Sequence, residues 1–271
     1  MSKILIIADI HGRKFWREAI ANNIDKVDKV IFLGDYLDPY QKEIEENPKL
    51  MECEYFGDCQ NLLKMLEDIV SLKKNEPNKY ILLTGNHTDS YIWSKFHAAT
   101  RTDYKNWEKY HKFFSQNLEY FNLVWIENNV IFSHAGISEG WANEFLYHYM
   151  KYDEGAELEN NSLIFETARV LKDTSLIDFN RYYINSLSCI SSYRWGDAPY
   201  GSCEWSDIME HINQHQSKVE EKLVPLGDDE FYQVFGHTLL QKPIITDKWS
   251  CLDCRRGFIF DTITHECKDC L

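Results

Sequence analysis

Three apolar runs in the first third of the chain each end in a short polar cluster. Residues 4–8 run into Asp9-Ile10-His11-Gly12, residues 30–33 into Gly34-Asp35-Tyr36-Leu37-Asp38, and residues 80–83 into Gly85-Asn86-His87. Short, β-rich apolar runs of this kind predict strands buried on both faces. Between them Phe15, Ala19 and Ile20 recur at helical spacing within 14–24, and Leu62, Leu63, Leu66, Ile69 and Val70 within 61–72. Strand alternating with helix predicts a largely parallel sheet, in which ligands collect beyond the carboxyl ends of the strands.

The pattern returns twice: residues 130–132 lead into Ser133-His134-Ala135-Gly136, and residues 231–235 into Gly236-His237-Thr238. Residues 91–128 are aromatic and charged and read as helical, as do residues 141–185. Residues 249–253 and 257–261 read as two terminal strands, and the acidic patch Glu43-Ile44-Glu45-Glu46 as a solvated loop or helix face. Nothing in the chain reads as a linker or repeat, which predicts one domain over 1–271 with helical insertions near 91–128 and 141–185.

Composition narrows the function. The formal charge of −14 argues against non-specific nucleic-acid binding, because a phosphate backbone is repelled at long range. It is compatible with a phosphorylated small molecule or protein, since bound cations invert the charge inside a site. No apolar run approaches the ~18–20 residues that span a bilayer. The opening run is too short for a signal-peptide core, so the expectation is a cytoplasmic protein without a membrane partner. There the 8 cysteines are thiols or metal ligands rather than disulfides.

Five strand ends thus deliver Asp9, His11, Asp35, Asn86, His134 and His237 toward one place. A mixed oxygen and nitrogen set suits borderline divalent metals such as Mn, Fe or Zn rather than an all-oxygen calcium site. Asp35, between the two early clusters, is the natural bridging carboxylate, and two cations about 3.5–4 Å apart clamp a phosphoryl group and activate water. Singly, each cluster is only a capped loop or a turn. The ordered recurrence after apolar runs is what points to chemistry.

These blocks, spanning residues 9 to 238, resemble the calcineurin-like metallophosphoesterases, and within them the phosphoprotein-phosphatase type with its bacterial diadenosine-tetraphosphate hydrolases. The resemblance implies an α/β fold, a four-layer α/β/β/α sandwich of two mixed sheets flanked by helices. It implies a first metal on Asp9, His11 and Asp35, with Asp35 bridging, and a second completed by Asn86, His134 and His237. His87 would stand beside the leaving group, oriented by Asp38, a pairing that also keeps a histidine protonated near neutral pH. The implied reaction is phosphomonoester hydrolysis by a hydroxide bridging two divalent metals. Dinucleoside polyphosphate or phosphodiester cleavage is the enzymatic alternative, with the aromatics of 93–114 stacking a base, and a non-catalytic scaffold the rival from another class. Substrates would be phosphorylated small molecules, nucleotides or phosphoproteins.

The chain departs from the protein phosphatases where Pro39 replaces an arginine that grips phosphate, where Thr88 replaces a glutamate, and at Ala135-Gly136. A substrate dianion still needs fixed positive charge. Arg13 and Arg194 are the candidates for phosphate binding. Trp205-Ser206-Asp207 reads as a packing block. His97, His111, His148, His211, His215 and His265 match no block and read as solvated or structural. Cys251 and Cys254 form one Cys-x-x-Cys pair and Cys267 and Cys270 another, twelve residues on. That spacing fits a structural zinc, and the same residues also fit a terminal β-hairpin.

Overall fold

The computed structural model describes residues 2–92, 99–152, 162–176, 201–208 and 230–270. Four strands, β1 (Lys3–Ile7), β2 (Lys29–Phe32), β3 (Tyr80–Leu83) and β4 (Phe121–Asn122), run parallel in that order. The sheet is extended on its other edge by antiparallel β10 (Gly257–Asp261) and β11 (Cys267–Asp269). β1 therefore lies between the second strand and a strand from the far end of the chain, in the register Lys3 to Asp261 and Ile7 to Gly257. A second sheet has the order β5 (Val124–Glu127), β6 (Val130–Ser133), β7 (Tyr232–Phe235), β9 (Trp249–Cys251) and β8 (Ile244–Ile245).

Strand alternation explains the layering, because neighbouring side chains leave a strand on opposite faces. Ile4, Ile6, Ile31, Leu33, Ile81 and Leu83 point toward the second sheet and pack with Val130, Phe132, Tyr232 and Val234. Leu5, Ile7, Val30, Phe32 and Leu82 point outward, into a cluster with Ala19 of α1 (Phe15–Asn23) and Leu62, Leu66 and Ile69 of α3 (Cys59–Asn75). Each such fully buried Ile or Leu contributes about 1.5–3 kcal/mol. On the second sheet, α6 (Glu139–Tyr152) and α7 (Leu163–Asp173) pack together, with α7 against β5. Ser162 caps α7 by accepting from the Phe165 amide at 3.2 Å. The result is the four-layer α/β sandwich read from the sequence.

Two elements differ from that reading. Residues 91–128 are not helical throughout: α4 (Asn86–Ile92) and α5 (Trp107–Asn117) are followed by β4 and β5. The cause is a tight hairpin. Asn128 (φ 51°) and Asn129 (φ 60°) take the left-handed conformation that a two-residue turn needs, and they fold Glu127 against Val130. The acidic patch lies in α2 (Gln41–Glu46), where Glu45 and Glu46 are exposed, but Ile44 is buried and Glu43 is ion-paired. The aromatics Trp107, Tyr110 and Phe114 fill the core and offer no face to a base.

The two terminal strands form, but not as a hairpin with each other: β9 pairs with β7 and β8 in the second sheet, and β10 with β1 and β11 in the first. Cys251, in β9, points away from the other sheet, packs with Phe235 and Ile208, and donates its thiol to the Gly236 carbonyl at 3.3 Å. Cys254 and Cys267 pack on the opposite side, against the inter-sheet core, and Cys270 against the outer cluster. The four-thiolate zinc site is therefore a correction: strand alternation sends the first cysteine to the wrong face. No described helix is long and apolar enough to cross a membrane.

Candidate active site

The five polar clusters sit at the carboxyl ends of β1, β2, β3, β6 and β7 and are laced to one another by the backbone. The His11 amide donates to the Asp35 carbonyl at 2.8 Å, Gly12 to Tyr36 at 2.9 Å, and Gly236 to His134 at 2.8 Å. The loops turn sharply: Asp9 (φ 45°), His11 (φ 44°), Asp35 (φ 48°), Asp38 (φ 60°) and His237 (φ 68°) all occupy the left-handed region. Asp and His enter that region more readily than most residues, and such backbone strain gathers at functional loops. Gly85 is required by proximity, since a Cβ there would lie 2.5 Å from Asp35 Oδ1 and 2.8 Å from His134 Nδ1.

Asp35 is the hub. Its Oδ2 is 3.4 Å from His134 Nε2 and 3.7 Å from His11 Nε2, and its Oδ1 accepts from the His87 amide at 2.9 Å. His134 Nε2 is also 3.0 Å from Asn86 Oδ1 and 3.2 Å from His237 Nδ1. Asp9 Oδ2 accepts from the His237 amide at 3.0 Å. The other ring nitrogens are committed to carbonyls, His11 Nδ1 to Leu37 O at 2.6 Å and His134 Nδ1 to Leu33 O at 2.8 Å. Each Nδ1–H then donates outward, so the Nε2 atoms face the centre, as metal-ligating histidines require.

The side chains have the chemistry of a cation site. Among the described residues two groups could hold a metal ion, His11–Asp35–His87 and Asp35–His134–His237, and they share Asp35. Asp9 and Asp35 are buried with no lysine or arginine paired to either among the described residues. Buried carboxylates without cationic partners are costly unless a cation is supplied. The local field shows the same deficit. Burial raises the Asp9 carboxyl well above its usual range, and neighbouring Asp253 raises it further. Burial also works against charge on Asp35, but His134 and His87 hold it well below the usual range. Burial disfavours charge on His134, yet Asp35 and Asp9 push it up to about 10. Burial, with His87 alongside, keeps His11 well below its usual value. The residue types and their field fit divalent cations.

Beside the hub, His87 Nδ1 is 2.8 Å from Asp38 Oδ2. Burial raises Asp38 while the His87 bond opposes it. The other Asp38 oxygen accepts from the Tyr91 hydroxyl, which in turn accepts from the Asp103 amide at 2.7 Å. These groups open onto a cavity of about 560 Å³ lined by His11, Asp35, Tyr40, Asn86, His87 and Arg101, with Trp205 and His237 opposite.

Arg13 is not on that cavity wall. Its Nε donates to Glu43 Oε2 at 2.7 Å and its Nη1 to the carbonyls of Asp9 (3.0 Å) and Ile10 (3.2 Å). The phosphate-binding expectation is corrected: the guanidinium is consumed in holding the Asp9 loop. Arg194 lies outside the described residues, as do His97, His211 and His215. His111 is structural, stacked on Trp107 with ring centroids 4.4 Å apart, and His265 likewise on Tyr232 at 4.2 Å. The Trp205 block does pack, against the His237 ring at 6.2 Å, while Asp207 accepts from the Thr238 hydroxyl at 3.1 Å. Sequence reasoning missed Arg101, Tyr91 and Asp253. Arg101 and Tyr91 carry no local motif, Asp253 sits inside the first Cys-x-x-Cys pair, and each reaches the site only through the fold.

The family model for calcineurin-like phosphoesterases matches residues 2–239. Among solved structures, a point mutant of a cold-active protein tyrosine phosphatase aligns over 100% of this chain and 81% of its own, at 12% identity and a TM-score of 0.52. A second structure of a cold-active protein tyrosine phosphatase aligns over 96% of this chain and 74% of its own, at 13% identity and a TM-score of 0.49. A protein serine/threonine phosphatase from Saccharomyces cerevisiae covers 61% of this chain and 48% of its own, at 19% identity and a TM-score of 0.34. Among curated proteins no relative matches the sequence.

Proposed function

The chain belongs to the calcineurin-like phosphoesterase family of metal-dependent phosphoesterases, and from that premise we propose that it hydrolyses phosphomonoesters as a single domain. The observation that carries the reading is the sharing of Asp35 by two groups able to hold a cation, His11–Asp35–His87 and Asp35–His134–His237. Asp9, His11 and Asp35 would hold one cation, and Asn86, His134 and His237 the other, with Asp35 common to both. Mn, Fe or Zn suits this mixture of oxygen and imidazole nitrogen. The chemistry supplied there when cations are bound is Lewis acidity, which lowers the pKa of water and neutralises charge on the phosphoryl oxygens.

The chain's own groups do the rest. His87 gives a proton from Nε2 to the departing oxygen, and Asp38, bonded to Nδ1, holds the ring in the tautomer and orientation for it. Tyr91 fixes Asp38 in turn. His11, Asp35, Asn86 and His87 are almost wholly buried, which strengthens each of these interactions. Seven free thiols among the described residues fit a reducing compartment, so we place the protein in the cytoplasm.

The test is hydrolysis of p-nitrophenyl phosphate and of its bis ester by metal-stripped protein resupplied with Mn, Fe, Zn, Ni or Mg in turn. Metal-restored monoester turnover that disappears in Asp35→Asn is the expected result. Preference for the bis ester would move the assignment to diester cleavage.

A further inference from the structure

Three guanidinium groups converge on the Tyr40 ring. Arg101 lies 3.7 Å from its centroid, and Arg13 and Arg255 each 5.7 Å. Glu43 neutralises two of them, one oxygen accepting from Arg13 Nε at 2.7 Å and the other from Arg255 Nη1 at 2.5 Å. Arg101 is different. Among the described residues it bonds no carboxylate: it donates to the Asp38 carbonyl at 3.2 Å and the Thr100 hydroxyl at 3.2 Å, and its Nη2 lies 3.4 Å from His87 Nε2. Its charge is therefore the uncompensated one of the three, and it faces the cavity.

The loop bearing Arg101 is pinned to the helix that begins with Asn86 and His87. The Ala99 amide donates to Ser90 Oγ at 2.7 Å, the Thr102 hydroxyl to the Ala99 carbonyl at 2.8 Å, and the Asp103 amide to Tyr91 Oη at 2.7 Å. Arg101 itself is held at φ 64°. The cation is thus positioned in advance relative to the His87–Asp38 pair, with the Tyr40 ring as its platform. A phosphoryl group whose leaving oxygen meets His87 Nε2 brings its non-bridging oxygens within reach of a guanidinium 3.4 Å from that same atom.

We propose that Arg101 grips the non-bridging oxygens of the substrate's terminal phosphate and thereby sets a preference for monoesters over diesters. The planar fork matches a phosphate dianion with two parallel hydrogen bonds. A diester offers one negative charge instead of two and must place a second substituent where the guanidinium stands. This inference rests on the phosphomonoesterase reading and deepens it.

The test compares metal-loaded wild type, Arg101→Met and Arg101→Lys, with Lys112→Met as a control for loss of an exposed charge. Metal content and circular dichroism confirm that each is intact. In Arg101→Met, kcat/KM for p-nitrophenyl phosphate should fall about 10- to 100-fold, the worth of charge-assisted hydrogen bonds, and orthophosphate binding by calorimetry should weaken by a similar factor. Turnover of the bis ester should change less than about threefold, and Arg101→Lys should recover part of the loss, since it keeps the charge without the fork. Equal losses for both esters, or orthophosphate affinity within twofold of wild type, would overturn the proposal. Wild type that binds orthophosphate through Arg101 yet cleaves neither ester would sink the phosphomonoesterase reading and leave the anion site standing.

Discussion

His134 Nε2 and His237 Nδ1 face each other across 3.2 Å at the buried centre of the site. With Asp35 and Asp9 beside it, His134 is pushed up to about 10, so in metal-free protein at pH 7 its ring carries a proton that a metal must displace. The folded-state value lies above the unfolded one, so this stabilisation is complete below pH 6.5 and is lost as pH rises through about 10. Metal affinity moves the other way, rising about tenfold per pH unit for each proton displaced. Calorimetry of Mn binding at pH 6.5 and 8.5, in buffers of different ionisation enthalpy, should show at least one proton released. Binding with no proton release would remove His134 from the ligand set.

His87→Ala and Asp38→Asn should both fold, because neither side chain carries the core. His87→Ala removes the proton donor and should lower kcat by about 10²- to 10⁴-fold. Asp38→Asn can still accept from Tyr91 but loses the carboxylate that orients the ring, so a smaller loss and a shifted acidic or basic limb of the pH–rate profile are expected. Equal pH profiles for wild type and Asp38→Asn would end the orienting role.

Gly85→Ala should keep its secondary structure and lose metal. The added methyl carbon meets the Asp35 carboxylate and the His134 ring at once, and both belong to the proposed ligand set. Elemental analysis should find well under half of the wild-type metal content, with the circular dichroism spectrum unchanged.

Arg13→Met should act on stability before catalysis. It strips hydrogen bonds from the Asp9 and Ile10 carbonyls and removes a partner from Glu43, which keeps Arg255. Losing these partly buried bonds, with Glu43 still paired to Arg255, costs about 1–3 kcal/mol, readable as a lower urea midpoint with little change in slope.

The sheet strands and the convergence of the six proposed ligand residues were legible because each strand end pairs an apolar run with its polar cluster locally, and buried parallel strands tolerate little else. β4 and β5 were not, because Asn122 and Glu127 break the apolar run and the Asn128–Asn129 turn carries no glycine. Arg13 misled by adjacency: it follows the first block in sequence, but its fork closes on the backbone of that same block. Arg101 was illegible for the opposite reason, since 63 residues separate it from the Asp38 carbonyl that it bonds. The cysteine spacing misled because spacing is blind to which face of a strand a thiol takes. Asp253, between two of those cysteines, is the residue of the motif that acts on the site, by raising Asp9.

The position of β10 beside β1 has a consequence for synthesis. The strand that launches Asp9 and His11 is translated well before its antiparallel neighbour, which is encoded at residues 257–261. Translation at about 5–20 residues per second leaves that edge of β1 waiting many seconds for its partner. Until β10 is made the nascent chain carries an open, apolar strand edge, which marks β1 as a place where a chaperone, or another nascent copy, would engage it.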